Sequence, residues 1–85
     1  MKWVVYILKC ADNTLYTGIT NDLERRISMH ENGSGAKYTK GRGPFKIVYM
    51  ERCDDRSAAS KREIEIKSLS RHNKEKLIAS DKPDI

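Results

Sequence analysis

Long apolar runs are missing from this 85-residue chain: the longest, residues 3–8, is far short of the roughly 18–20 residues needed to cross a bilayer. No membrane span is expected. Met1-Lys2-Trp3 leads into no apolar stretch ending at a small-residue cleavage site, so no secretory signal is expected either. Cysteine is scarce. Cys10 and Cys53 are the only two, too few for the dense disulfide framework of a small secreted fold, and a reducing cytoplasm is the simpler setting. Length sets a further bound. A chain this short makes one domain with a modest core, burying roughly 60–65% of the surface its unfolded form exposes. A knottin-like scaffold, a membrane protein and a multidomain enzyme are excluded. The remaining mix, 38% apolar and 34% charged, suits a small soluble globular domain.

Acid is lacking in one place. No Asp or Glu occurs from residue 32 to residue 50, while Lys37, Lys40, Arg42 and Lys46 all fall there. Gly33, Gly35, Gly41 and Gly43, four of the chain's five glycines, share the same window. A glycine-punctuated loop of one charge sign can mould its cations and bare N–H groups to phosphates. The whole chain carries 17 Lys and Arg against 12 Asp and Glu, a formal +5, which agrees with a polyanionic partner. A solvated linker whose lysines only keep it soluble is the plainer alternative.

Residues 3–10, β-branched and aromatic, read as a strand, and Asp12-Asn13 as a turn into a second strand over 15–20. Asn21 suits an N-cap, with Glu24 three residues on, for a helix running to about Glu31 and stopping near Gly33. Pro44 leads into a third strand over 45–50. Asp54 or Asp55 opens a second helix to about Ser70, and Asn73 caps a short third helix over 74–79, leaving 81–85 as a loose tail. The class is α+β: a three-stranded, mainly antiparallel sheet flanked by helices, in the order β-β-α-β-α-α, with residues 1–80 as a single domain.

At about 100° per residue, Leu23, Ile27 and His30 line one stripe of the first helix, with Arg26 at its border and Arg25 facing solvent. Arg26 and His30, four apart, are surface neighbours. An arginine held by its packed stem at the edge of the core is a phosphate clamp in waiting or a snorkelling side chain. His30 is equally open to catalysis or to packing. On the second helix Ala59 and Ile66 mark the buried side, Glu63 lies on its shoulder and Ile64 faces away. A carboxylate beside a core needs a base, such as Arg62 or Lys67, or a hard cation with a mostly aqueous shell. Glu65 competes for that part.

Four tyrosines outnumber one Phe and one Trp. Tyr6 and Tyr16 are strand residues that must each satisfy a hydroxyl, which is usually structural work. Gly18, two after Tyr16, marks a close approach of something else to the strand. A phenol that takes a proton from water needs cations to lower its pKa from about 10. Other chemistries lack support. Cys10, Cys53, His30 and His72 have no zinc-ligand spacing, no phosphate-binding glycine motif is complete, and no nucleophile elbow is present.

Taken in order, Val4-Val5-Tyr6, Tyr16-Thr17-Gly18, Asn21-Asp22-Leu23 with Arg26 and His30, and Ala59 with Glu63 resemble the GIY-YIG nuclease domain over residues 3 to about 75. The loop Gly35-Ala36-Lys37-Tyr38-Thr39 resembles its small stand-alone branch. The resemblance implies a metal-dependent endonuclease that hydrolyses DNA phosphodiester bonds with Mg²⁺ or Mn²⁺, one ion per site. It implies that Tyr6 and Tyr16 position or deprotonate the attacking water, that Arg26 stabilises charge on the scissile phosphate, that His30 assists proton traffic, and that Glu63 holds the metal. Lys37, Tyr38, Lys40, Arg42 and Lys46 are the expected nucleic-acid contacts. Two departures stand out: Val4-Val5 replaces Gly-Ile, and Ile19 follows Gly18 where some members carry a lysine.

With no separate DNA-reading domain expected, substrate choice falls to nucleic-acid shape or a protein partner. A cytoplasmic monomer is expected. The alternative is a nucleic-acid-binding module that uses the basic 33–46 loop and cuts weakly or not at all; a protein-interaction domain is a third, weaker reading.

Overall fold

A computed structural model of the chain describes residues 3–33 and 39–80. The hairpin strands are β1 (Trp3–Lys9) and β2 (Leu15–Thr20), followed by helix α1 (Leu23–Glu31), strand β3 (Lys46–Cys53), and helices α2 (Arg56–Lys67) and α3 (Arg71–Ser80). The strands form one sheet in the order β2-β1-β3, antiparallel throughout. The expected α+β class and element order hold.

Strand β1 is central, which explains its near-continuous apolar sequence: Val5, Tyr6, Ile7 and Leu8 are all fully buried, because helices or loops cover both sides. Period-two alternation then sorts the residues. Val5 and Ile7 join Tyr49, Cys53, Ala59 and Ile66 in the apolar core, with Leu77 and Ile78 packed against it. Tyr6 points the other way, toward α1, and its cross-strand partner on β2 is Gly18.

Several boundaries differ from expectation, among them the end of α2, which stops at Lys67 and not near Ser70, and three have a local reason. Helix α1 is capped by Asp22, not Asn21, and the Asp22 carboxylate accepts from Arg25 N at 3.3 Å. Thr20 Oγ1, accepting from Asp22 N at 3.1 Å, delays the helix by one residue. Helix α3 begins before Asn73, because Ser70 Oγ accepts from Asn73 N at 3.1 Å and so serves as the cap. Strand β3 runs three residues past Met50, pairing Trp3 with Cys53. Of the two candidate caps, Asp54 and Asp55, it is Asp55 that caps α2, accepting from Ala58 N at 2.8 Å. No described helix is long and apolar enough to cross a membrane. The expected tail, 81–85, lies outside the described residues.

Candidate active site

Gly18 explains how the site is assembled. A Cβ placed there would stand 2.6 Å from the Tyr6 hydroxyl oxygen and 3.1 Å from the Tyr16 ring. The missing side chain lets the Tyr6 ring lie across β2 and bring its hydroxyl to α1. There it meets His30, with 3.0 Å between the phenol oxygen and Nε2. The other imidazole nitrogen, Nδ1, lies 2.7 Å from Thr39 Oγ1. Both His30 and Thr39 are almost fully buried, at 2% and 1% exposure.

Aromatic edges fill the space around this chain. The Tyr16 and His30 rings are 5.2 Å apart, Tyr6 and Tyr16 6.4 Å, and Phe45 lies 5.9 Å from His30. The helical angles already place Arg26 beside this stripe, and its guanidinium lies close enough to both phenols for their interaction to push its own pKa up. Arg25 is exposed, as the same angles require.

The electrostatics correct one expectation. Cations near a phenol should lower its pKa, yet burial outweighs the influence of Arg26 at Tyr6 and holds the pKa above the ordinary phenol value. Tyr6 is thus a neutral phenol at physiological pH. Burial, followed by the charge of Arg26, pushes the pKa of His30 below that of an ordinary imidazole. The buried pair is a neutral phenol against a neutral imidazole, with the positive charge held by Arg26 at its edge.

Glu63 arrives from α2 with a side chain about one-fifth exposed. It lies close enough for its charge to act on Tyr6, raising the phenol pKa slightly further. Lys67 Nζ sits 3.2 Å from Glu63 Oε2, one helical turn on, which is the ion-pair alternative raised from sequence. Glu65 points elsewhere, exposed and paired with Arg62 at 3.0 Å. Among the described residues no group of three or more His, Cys, Asp and Glu side chains could hold a metal. One half-buried carboxylate still fits a hard, hydrated divalent ion, which takes its other ligands from water and substrate phosphate. An ion held so would bind weakly without substrate.

The expected nucleic-acid contacts separate. Lys40 and Lys46 are exposed. Arg42 is ion-paired with Asp12 in the hairpin turn, and Ala11 N donates to Arg42 O at 2.8 Å, so this end of the basic loop is tied to the β1–β2 turn. Lys37 and Tyr38 lie outside the described residues. Two cavities flank the cluster: one of about 430 Å³ between His30 and Gly41, Gly43 and Pro44, and one of about 390 Å³ bordered by Tyr16, Lys67 and Lys74. Thr39 stands in the sequence only as the last residue of the family-like loop 35–39, with no role attached, and Lys74 has no signal. Thr39 is a lone hydroxyl in an irregular loop, and the place of Lys74 beside Tyr16 depends on how α3 packs.

A three-stranded antiparallel sheet thus carries paired phenols, an arginine, a histidine and a nearby glutamate. The GIY-YIG catalytic domain family matches residues 2–76, and the chain belongs to that family. A UPF0213 protein of Natronomonas pharaonis is 58% identical over 77 residues, 91% of each chain. One from Clostridium perfringens is 58% identical over 76 residues, 89% of this chain and 82% of that protein. The solution NMR structure of a UPF0213 protein from Bacillus halodurans is similar in fold, with TM-score 0.63 and 47% identity over 95% of this chain and 86% of its own.

Proposed function

We propose that this chain is a metal-dependent endonuclease that hydrolyses DNA phosphodiester bonds with little sequence preference of its own. One observation carries the reading: Tyr6, Tyr16, Arg26 and His30, from three separate elements, meet in one cluster, with Glu63 of a fourth element within electrostatic reach of Tyr6. Binding alone would need only a positive surface.

The parts divide by exposure. Tyr6 is fully buried and Tyr16 half-buried, so Tyr16 and Arg26 face the substrate while Tyr6 and His30 stand behind them. Arg26 binds the non-bridging oxygens of the scissile phosphate, where negative charge gathers in the transition state. Tyr16 orients the attacking water, and Tyr6 with His30 provides a hydrogen-bonded route for its proton. Glu63 would hold Mg²⁺ or Mn²⁺, which when bound supplies Lewis-acid stabilisation of phosphate charge. Lys40 and Lys46 hold flanking phosphates and weaken in that role as salt rises. A cytoplasmic setting, and a protein partner that directs the domain to its substrate, complete the proposal.

The Lys67–Glu63 ion pair favours a second reading, in which the carboxylate stays with its lysine and the domain binds nucleic acid without cutting. The test compares wild type, Glu63→Ala and Arg26→Ala on branched, nicked, single-stranded and duplex DNA, with Mg²⁺, Mn²⁺ or chelator. The nuclease reading expects metal-dependent cutting that falls at least 100-fold in each variant. Binding without cleavage on every substrate would establish the second reading instead.

A further inference from the structure

The buried hydrogen bonds around His30 determine where its proton sits. Arginine only donates, so the Arg26 guanidinium, whose charge acts on the Tyr6 phenol, favours the lone pairs of the phenol oxygen turned toward it. The phenol proton is then directed to the hydrogen-bonding neighbour on the other side, His30 Nε2 at 3.0 Å. To accept it, Nε2 must be bare. A neutral imidazole carries one hydrogen, and burial together with the charge of Arg26 keeps this one neutral. The hydrogen is therefore on Nδ1, and it is donated to Thr39 Oγ1 at 2.7 Å.

We infer that Thr39 is a positioning residue that fixes His30 as the Nδ1–H tautomer, leaving Nε2 as the acceptor for the Tyr6 hydroxyl. The tautomer claim stands on the two hydrogen bonds of the ring and the charge of Arg26 beside it, and its consequence for rate rests on the nuclease reading above. Without the Thr39 oxygen, the Nδ1–H form buries a donor with no acceptor, which is costly in so dry a setting. The Nε2–H form then competes. It points its hydrogen at the Tyr6 oxygen and breaks the route by which the phenol passes its proton on. Which nitrogen of a histidine carries the hydrogen is commonly set in this way, by the bond its other nitrogen makes.

Two features of Thr39 argue against a merely space-filling part. It is 1% exposed, yet its hydroxyl faces a ring nitrogen and not an apolar wall. It also reaches His30 from nine residues downstream, so the hydrogen bond fastens the basic loop to α1 beside the catalytic cluster. The same bond that orients the ring therefore anchors one end of the surface expected to hold nucleic acid.

The experiment is ¹⁵N-histidine NMR on the full chain, where proton-bearing and bare ring nitrogens have distinct shifts and His72, which is exposed, serves as internal control. Wild type and Thr39→Ser are expected to show Nδ1 protonated and Nε2 bare at His30. Thr39→Val and Thr39→Ala are expected to lose that pattern in favour of Nε2–H, while His72 is unchanged. An Nε2–H pattern in wild type, or an unaltered Nδ1–H pattern in either folded apolar variant, overturns the inference; the second result would make Tyr6 the group that sets the tautomer. If both apolar variants unfold, the wild-type and Thr39→Ser spectra still decide. In cleavage assays the apolar variants should lose about 10-fold to 100-fold in kcat at little changed KM, and Thr39→Ser should recover it. A correct tautomer pattern in a protein that cuts no DNA would defeat the nuclease reading and leave the role of Thr39 standing.

Discussion

Val5 and Ile7 leave one face of β1, Tyr6 leaves the other, and the two sets keep different company. On the first face, α2 and α3 supply Ala59, Ile66, Leu77 and Ile78, an apolar seam with little need of orientation. On the second, a short helix and an irregular loop supply His30 and Thr39, tied by directed hydrogen bonds, and Arg26, whose charge lies beside the phenols. Two buried phenols make the contrast sharper. Tyr49, on the apolar side, donates to Glu51 Oε1 at 2.6 Å, and Arg62 Nε donates to the same oxygen at 3.0 Å, so the proton has a closed, charge-balanced home. Tyr6 meets an imidazole that has been kept neutral and an arginine that reaches toward solvent. A carboxylate locks a phenol in place, whereas an imidazole can pass its proton on. On the nuclease reading, one sheet thus stores stability on one side and reactivity on the other.

The comparison can be broken in graded steps. The largest effect belongs to the apolar face: Ile66→Ala, at a fully buried position, should cost about 2–5 kcal/mol in chemical denaturation and leave the active-site groups intact. A loss below 1 kcal/mol would mean that the seam is not the main support. Next comes Gly18→Ala. The new methyl would meet a buried Tyr6 ring that has nowhere to swing, costing about 1–3 kcal/mol and reducing cleavage with it. Stability retained with cleavage lost would show that the ring had moved without unfolding.

A smaller effect concerns pH. His30 in the folded chain holds its proton less tightly than an ordinary imidazole, so as pH falls the unfolded state takes up a proton first. Stability from this group is complete above about pH 6.5 and is lost as pH drops through that value toward the folded pKa. Each tenfold difference in proton affinity is worth about 1.4 kcal/mol. Thermal melts from pH 7.5 to 5.5 should show this loss in wild type and not in His30→Gln; equal profiles would assign it to other groups. The smallest effect is electrostatic: Lys40→Ala with Lys46→Ala should lower the salt slope of DNA binding by about two with almost no change in stability. An unchanged slope would remove both lysines from the interface.

The apolar face was almost fully legible in the sequence, since Ala59, Ile66, Ile64 and Glu63 fall around α2 where helical angles put them. Half of the site was legible for the same reason: His30, Arg26 and Arg25 take their places on α1 by periodicity. Gly18 gave notice of a close approach but not of its partner, because strand register decides that Tyr6 lies opposite. The contact of Thr39 with His30 and the Arg42–Asp12 pair were silent. Both join residues across an irregular loop, where no repeat carries information, and the second spans 30 positions. Cap competition among nearby polar residues moved the starts of α1 and α3, which local preference alone does not resolve.

Arg26→Ala tests the division between the faces most directly, with cleavage of nicked and branched DNA in Mg²⁺ and unfolding free energy measured on one preparation. Loss of at least 100-fold in cleavage, with stability within about 1 kcal/mol of wild type, is the predicted result. Undiminished cutting, or a collapse of the fold that accounts for the lost activity, would contradict the assignment of chemistry to this side of the sheet.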